Sequence, residues 1–159
     1  MVADLRFGLG FDTHPRDADR PLFLGGVRFE GEAGLAGHSD ADVVCHALAD
    51  ALLGAAGLGD LGTFFQDGDP ELEGIGGLDL LARVVEIVGA AGLAPVSCDA
   101  VVIAERPSVA HRRAEMRSGL GRVMGIPAEL VSVKATRPEG LGLTGDGAGC
   151  LALAVLGPA

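Results

Sequence analysis

Residues 37–62, GHSDADVVCHALADALLGAAGLGDLG, decide how this chain is read. From Asp40 to Ala56 the apolar positions 41, 44, 47, 48, 51, 52 and 55 recur at helical spacing, which predicts an amphipathic helix. Ser39 is a residue of the N-cap type, and Asp42 three residues later approximates a capping box. Working outward, Gly25-Gly26 separates Pro21–Leu24 from Val27–Phe29, the signature of a two-residue hairpin, and Arg6–Phe11 reads as a first strand. On the C-terminal side a helix over about 78–91 is followed by a strand over Cys98–Ala104. A helix over Ala110–Met124 and strands over Leu130–Thr136 and Cys150–Leu156 complete the pattern. Strands interleaved with helices predict a two-layer α/β sandwich, a single domain over residues 1–159.

Composition narrows the function. The chain has 159 residues and a formal net charge of −10, with no Trp, no Tyr and no basic run, which argues against a nucleic-acid partner. A phosphorylated ligand must then be drawn in locally, by metals, helix N-termini or a few cations, because the overall field repels it. Cys45, Cys98 and Cys150 are odd in number and form no CxxC pair, so reduced core thiols are expected. The longest uncharged run, the 13 residues from Gly147 to Ala159, is too short to span a bilayer, and the N-terminus shows no apolar signal region. A cytoplasmic location with no membrane partner is the expectation. The 26 glycines follow no fixed period; they cluster where tight turns or close backbone approaches are needed.

Three residues could share a metal. Asp12 and His14, at i and i+2 beyond the first strand, point the same way in extended backbone. Alone, the pair is more simply a solvated strand end. His46 adds a third donor from the helix, within a polar stripe Asp42–His46–Asp50 spaced by four. Asp50 is placed there to accept from the other ring nitrogen of His46, as carboxylates do behind metal-bound histidines. Three ligands leave a fourth position open, the geometry of a catalytic zinc site. His38 and Ser39 precede the helix, where N–H groups and the dipole favour an anion such as phosphate. Gly8-Leu9-Gly10 opens like a dinucleotide fingerprint, but Thr13 occupies the third glycine's place and the reading is discarded.

The segments GLGFDTH (8–14), GHSDAD with VCHALADALLGAAGLGDLG (37–62), FQDGDP (65–70), and VKAT with EGLGLTG (133–145) resemble the 2-C-methyl-D-erythritol 2,4-cyclodiphosphate synthase family in order and over nearly the whole chain. The resemblance implies a ferredoxin-like two-layer subunit, a mixed sheet with helices on one face, assembled as a homotrimer with active sites between neighbouring chains. It implies conversion of 4-diphosphocytidyl-2-C-methyl-D-erythritol 2-phosphate into the cyclic diphosphate with release of CMP. By matching position, Asp12, His14 and His46 would hold zinc, or another divalent transition metal. His38 would stabilise the transition state and Ser39 would hold phosphate. Asp60, Gly62, Phe65, Asp67 and Asp69 would surround the methylerythritol. Ala104, Pro107, Val109, Ala110, Ala135 and Thr136 would frame the cytidine, and Glu139 would bind a magnesium or manganese ion on the diphosphate.

Several positions depart from the family pattern. Arg137 stands in place of the threonine that partners the transition state, and is expected to replace it with a cation or to point to solvent. Ser108 stands where a lysine is usual, Gln66 where a proline is, and Asp146 and Ala148 where an arginine and a glutamate are usual. In the family that arginine lies near the three-fold axis, at the end of an apolar channel where isoprenoid diphosphates bind. Three carboxylates there disfavour a diphosphate, so no isoprenoid diphosphate is expected in the channel of this protein. Two rivals stay open: a catalytically weak homologue serving as a ligand-binding or scaffold trimer, and a zinc hydrolase.

Overall fold

A computed structural model describes residues 4–66, 68–142 and 144–159. Five strands, β1 (Arg6–Leu24), β2 (Val27–Leu35), β3 (Leu93–Ala104), β4 (Val131–Thr136) and β5 (Gly147–Pro158), form one sheet in the order β2-β1-β5-β3-β4. All neighbouring pairs are antiparallel except β3 and β4, which run parallel. The helices are α1 (Val43–Ala56), the single turn α2 (Leu61–Phe64), α3 (Gly77–Ala90) and α4 (Arg113–Met124). The mixed sheet and its helical layer are the two-layer, ferredoxin-like α/β arrangement that the sequence predicts. No helix among the described residues is long and apolar enough to cross a membrane.

The first strand is longer than its apolar pattern indicates. It continues through the polar run Asp12–Arg20 because two partners share it: β5 pairs with Arg6–Pro15, and β2 takes over from Arg16. The hairpin turn at Gly25-Gly26 has φ of +59° and +76°, the doubly left-handed turn that glycine permits. Its two N–H groups donate to Asp42, to Oδ1 at 2.8 Å and to Oδ2 at 2.6 Å.

The same carboxylate starts α1. Asp42, and not Ser39, is the N-cap, accepting from Val44 N at 3.1 Å and Cys45 N at 3.2 Å. The helix therefore begins at Val43 rather than Asp40, and Ala41 lies at φ +56°, outside helical space. Asp42 wins the cap because it is wholly buried and serves the hairpin as well. The polar stripe of α1 is largely buried: the helix is covered nearly all round, with Asp42 at 0% and His46 at 8% exposure. Packed between the sheet and α3, it has no fully wet face.

Gly8 and Gly10 account for how closely α1 lies on β1. A Cβ on Gly8 would sit 1.9 Å from the carbonyl oxygen of Ala51, and one on Gly10 would sit 1.9 Å from that of Ala47. These glycines serve helix–strand packing, in keeping with the discarded dinucleotide reading. The alternate residues Phe7, Leu9 and Phe11 project from the opposite face and are 64%, 67% and 53% exposed. Cys45, Cys98 and Cys150 are free and buried, and burial pushes the Cys98 thiol up to about 12.

Candidate metal centre and binding cavities

Asp12 and His14 reach one side of β1, as the i, i+2 spacing requires, and α1 brings His46 over them. One Oδ2 of Asp12 lies 3.1 Å from His14 Nε2 and 3.1 Å from His46 Nδ1. One donor atom from each of the three residues falls within 4.8 Å of the others. Burial alone would raise the Asp12 carboxyl, but hydrogen bonds and charge from the two imidazoles outweigh it and hold the group at about 2. Donation to the Asp12 carboxylate stabilises protonated His14 and raises it against the opposing effect of burial.

The outer ring nitrogens decide whether this cluster fits a metal. His14 Nδ1 donates to the carbonyl of Ala36 at 2.6 Å, which leaves Nε2 with its lone pair on the Asp12 side. His46 Nε2 lies 3.0 Å from Ser39 Oγ, so donation to the hydroxyl frees Nδ1 toward Asp12. A carboxylate and two imidazoles, each oriented from behind, make a donor set suited to a divalent transition metal.

Asp50 does not orient His46. Its Oδ1 accepts from the backbone N–H of Leu61 at 2.8 Å, tying α1 to α2, and Ser39 takes the place expected for it. One turn along a helix lies i+4, but the second nitrogen of His46 points back toward the segment entering the helix. Ser39 Oγ also accepts from Ala41 N at 3.1 Å, so the serine is committed to the local turn as well as to the histidine.

The cluster opens on a cavity of about 1270 Å³. His38, Ser39, Gly62, Phe65 and Asp69 line it together with His14 and His46. Asp60 acts as the N-cap of α2, with Oδ1 accepting from Thr63 N at 3.1 Å and from Thr63 Oγ1 at 3.0 Å. Asp67 lies outside the described residues. A second cavity, of about 250 Å³, unites Ala104, Pro107, Val109, Ala110, Ala135 and Thr136 with Ser108, Arg113 and Arg137. Arg137 is thus at the second cavity and absent from the lining of the first. Glu139, exposed and at φ +52°, lies on the loop beyond β4.

Three residues of these sites carried no sequence signal. Arg20 lines the first cavity through contacts some seventeen residues distant along the chain, and Ile75 enters it from the segment before α3. Arg113 reaches the second cavity as the first residue of α4. Arg16 and Asp146 also come together: Arg16 N donates to the Asp146 carbonyl at 2.8 Å.

The chain is 50% identical over 148 residues to the 2-C-methyl-D-erythritol 2,4-cyclodiphosphate synthase of Symbiobacterium thermophilum, covering 93% of this chain and 94% of that protein. It is 51% identical over 148 residues to the bifunctional enzyme IspD/IspF of Desulforudis audaxviator; there it spans only 38% of the relative's length. A solved structure of 2C-methyl-D-erythritol-2,4-cyclodiphosphate synthase in its CDP-bound form is similar at a TM-score of 0.87 and 33% identity, over 95% of this chain and 99% of that one. The sequence pattern of the YgbB family matches residues 5–157, and the chain belongs to that family, the 2-C-methyl-D-erythritol 2,4-cyclodiphosphate synthases.

Proposed function

We propose that this protein is a phosphorus–oxygen lyase that cyclises 4-diphosphocytidyl-2-C-methyl-D-erythritol 2-phosphate to 2-C-methyl-D-erythritol 2,4-cyclodiphosphate. The carrying observation is the convergence of Asp12, His14 and His46 donors within 4.8 Å beside a cavity lined by His38 and Ser39. These residues would hold zinc, with Glu139 holding magnesium or manganese at the diphosphate. The two cations supply charge neutralisation on the phosphates when bound.

The substrate carries its own nucleophile. An oxygen of the 2-phosphate forms a bond to the β-phosphorus while the bond from that phosphorus to the CMP oxygen breaks, and CMP leaves with the electron pair. The protein needs no Ser or Cys for this step; it must fold the substrate into a ring-closing pose. Gly62, Phe65, Asp67 and Asp69 would enclose the methylerythritol, with Asp60 ordering α2 beneath it. His38 and Ser39 would contact the phosphate undergoing attack. Ala104, Pro107, Val109, Ala110, Ala135 and Thr136 would hold the cytidine, and Arg137 beside them would replace the usual threonine with a cation able to make paired bonds to phosphate oxygens.

The two cavities have no lining residue in common, which suits a site completed between subunits. A homotrimer would set the second cavity of one chain against the first of the next. The bare apolar sheet face supports that assembly. Asp146 would lie near its axis, where three carboxylates leave no cationic ring to retain an isoprenoid diphosphate. Phosphorus NMR after incubation with the cytidylyl substrate, zinc and magnesium is expected to show the cyclic diphosphate and CMP. Linear hydrolysis products, or bound substrate without turnover, would overturn the assignment.

A further inference from the structure

His38 and Ser39 stand on a short turn whose backbone carbonyls are all engaged. The carbonyl of His38 accepts from Gly74 N at 2.9 Å. Those of Gly37 and Ser39, one on each side of His38, accept from the two terminal nitrogens of a single side chain, Nη1 and Nη2 of Arg20. Arg20 lies on β1 and lines the first cavity together with His14, His38, Ser39 and His46.

A guanidinium is a rigid planar fork, so two bonds from its two ends fix the peptide plane that precedes His38 and the one that follows Ser39, bracketing both residues. Neither α1 nor the hairpin depends on this contact, because Asp42 caps both. Gly37 and His38 are exposed and add nothing to the core. Among the described residues no carboxylate pairs with Arg20. Its charge therefore stays un-neutralised at the cavity wall, in a protein that is strongly acidic elsewhere.

We propose that Arg20 is a positioning residue, a two-carbonyl clamp that sets the orientation of His38 and Ser39 toward the bound phosphates. Its role in turnover rests on the cyclase reading above; the clamp itself does not. Two measurements on the full-length, zinc-loaded protein test it, with Arg20→Met and Arg20→Lys as variants.

Hydrogen exchange is expected to quicken about tenfold or more at Asp40 and Ala41 in Arg20→Met, with the α1 core and the melting temperature unchanged. In turnover, kcat is expected to fall about tenfold to a hundredfold with KM within about threefold, the pattern of lost orientation. Arg20→Lys restores charge without the fork, so its kcat should stay near that of Arg20→Met. Unchanged exchange at Asp40 and Ala41 would overturn the clamp. Full recovery in Arg20→Lys, or a raised KM at constant kcat, would make Arg20 a simple cation for substrate and equally overturn it. If the wild-type protein yields no cyclic product, the cyclase reading fails while the exchange measurement still decides the clamp.

Discussion

At the residue scale the candidate metal cluster depends on what stands behind its three donors. Ser39 orients His46 and Ala36 orients His14, so truncating the serine hydroxyl removes the partner that fixes the His46 tautomer. Ser39→Ala is expected to weaken zinc binding by about tenfold to a hundredfold, whereas Asp50→Asn leaves it within about twofold. Competition against a chromophoric chelator measures both, and the reverse order would restore Asp50 as the orienting residue. The convergence of Asp12, His14 and His46 was legible because strand and helix spacing are local rules. Ser39 was not, since its role depends on the angle at which the chain enters α1. Asp40 offers a second test. It is half-buried, and that partial burial followed by the neighbouring Asp42 charge raises its carboxyl above 3.8, despite bonds from Gly77 N at 2.7 Å and Asp42 N at 3.1 Å. The native state then binds this proton more tightly than the unfolded chain, so Asp40 adds stability as pH falls through its native value and completes that gain below 3.8. Urea unfolding of metal-free wild type and Asp40→Asn should show the wild type gaining on the variant between neutral pH and about pH 4. A constant difference would mean that the carboxylate is not held up by burial.

Elements enter the function through the distance between β1 and α1. The strand carries Asp12 and His14 and the helix carries His46, so whatever sets their spacing also sets the metal geometry. Gly10 sets it, two residues before Asp12 and one helical turn before the level of His46, at a site where a methyl group would meet the Ala47 carbonyl at 1.9 Å. Because that obstacle is backbone, relief requires the helix to move off the sheet. Gly10→Ala is expected to cost about 2–4 kcal/mol in stability, at or above the upper end for overpacked cores, and to weaken zinc binding at least about tenfold. Chemical denaturation and metal titration check the two effects. A stable variant with unaltered zinc affinity would separate packing from the metal site. The apolar periodicity revealed α3 to within a residue at each end and the C-terminal end of α1, whose start lies three residues later than the pattern indicates, and the paired glycines revealed the hairpin. The length of β1 was hidden because Asp12–Arg20 has no alternating apolar pattern; its extension is imposed by β5 and β2 from outside the segment. The burial of the polar stripe on α1 was hidden for a related reason: a helix with neighbours on nearly every side buries polar residues along with the rest.

For the whole molecule, the face of the sheet away from the helices poses the remaining problem. Leu9 on β1 lies directly opposite Leu153 on β5, and Phe11 lies opposite Leu151, with Phe7 extending the row. All five are exposed in the isolated chain, and together they form a contiguous apolar surface rather than scattered single residues. Such a surface marks an association site, and a chain with net charge −10 would otherwise be kept apart from its copies by repulsion. The proposed trimer would bury this row and, in doing so, bring the Arg137 cavity of one chain to the His38 cavity of another. Assembly and turnover are therefore expected to fail together. Leu9→Lys places a cation at the centre of the row, where its copies would also repel one another across the interface. Light scattering after size exclusion should show this variant shifting from trimer to monomer, with intact secondary structure by circular dichroism. Zinc should still bind, because Asp12, His14 and His46 belong to one chain, while cyclisation should fall about a hundredfold or more as the intersubunit site disappears. A monomeric Leu9→Lys protein that keeps its full rate would show that each chain holds a complete site, and the two cavities would then need a different explanation.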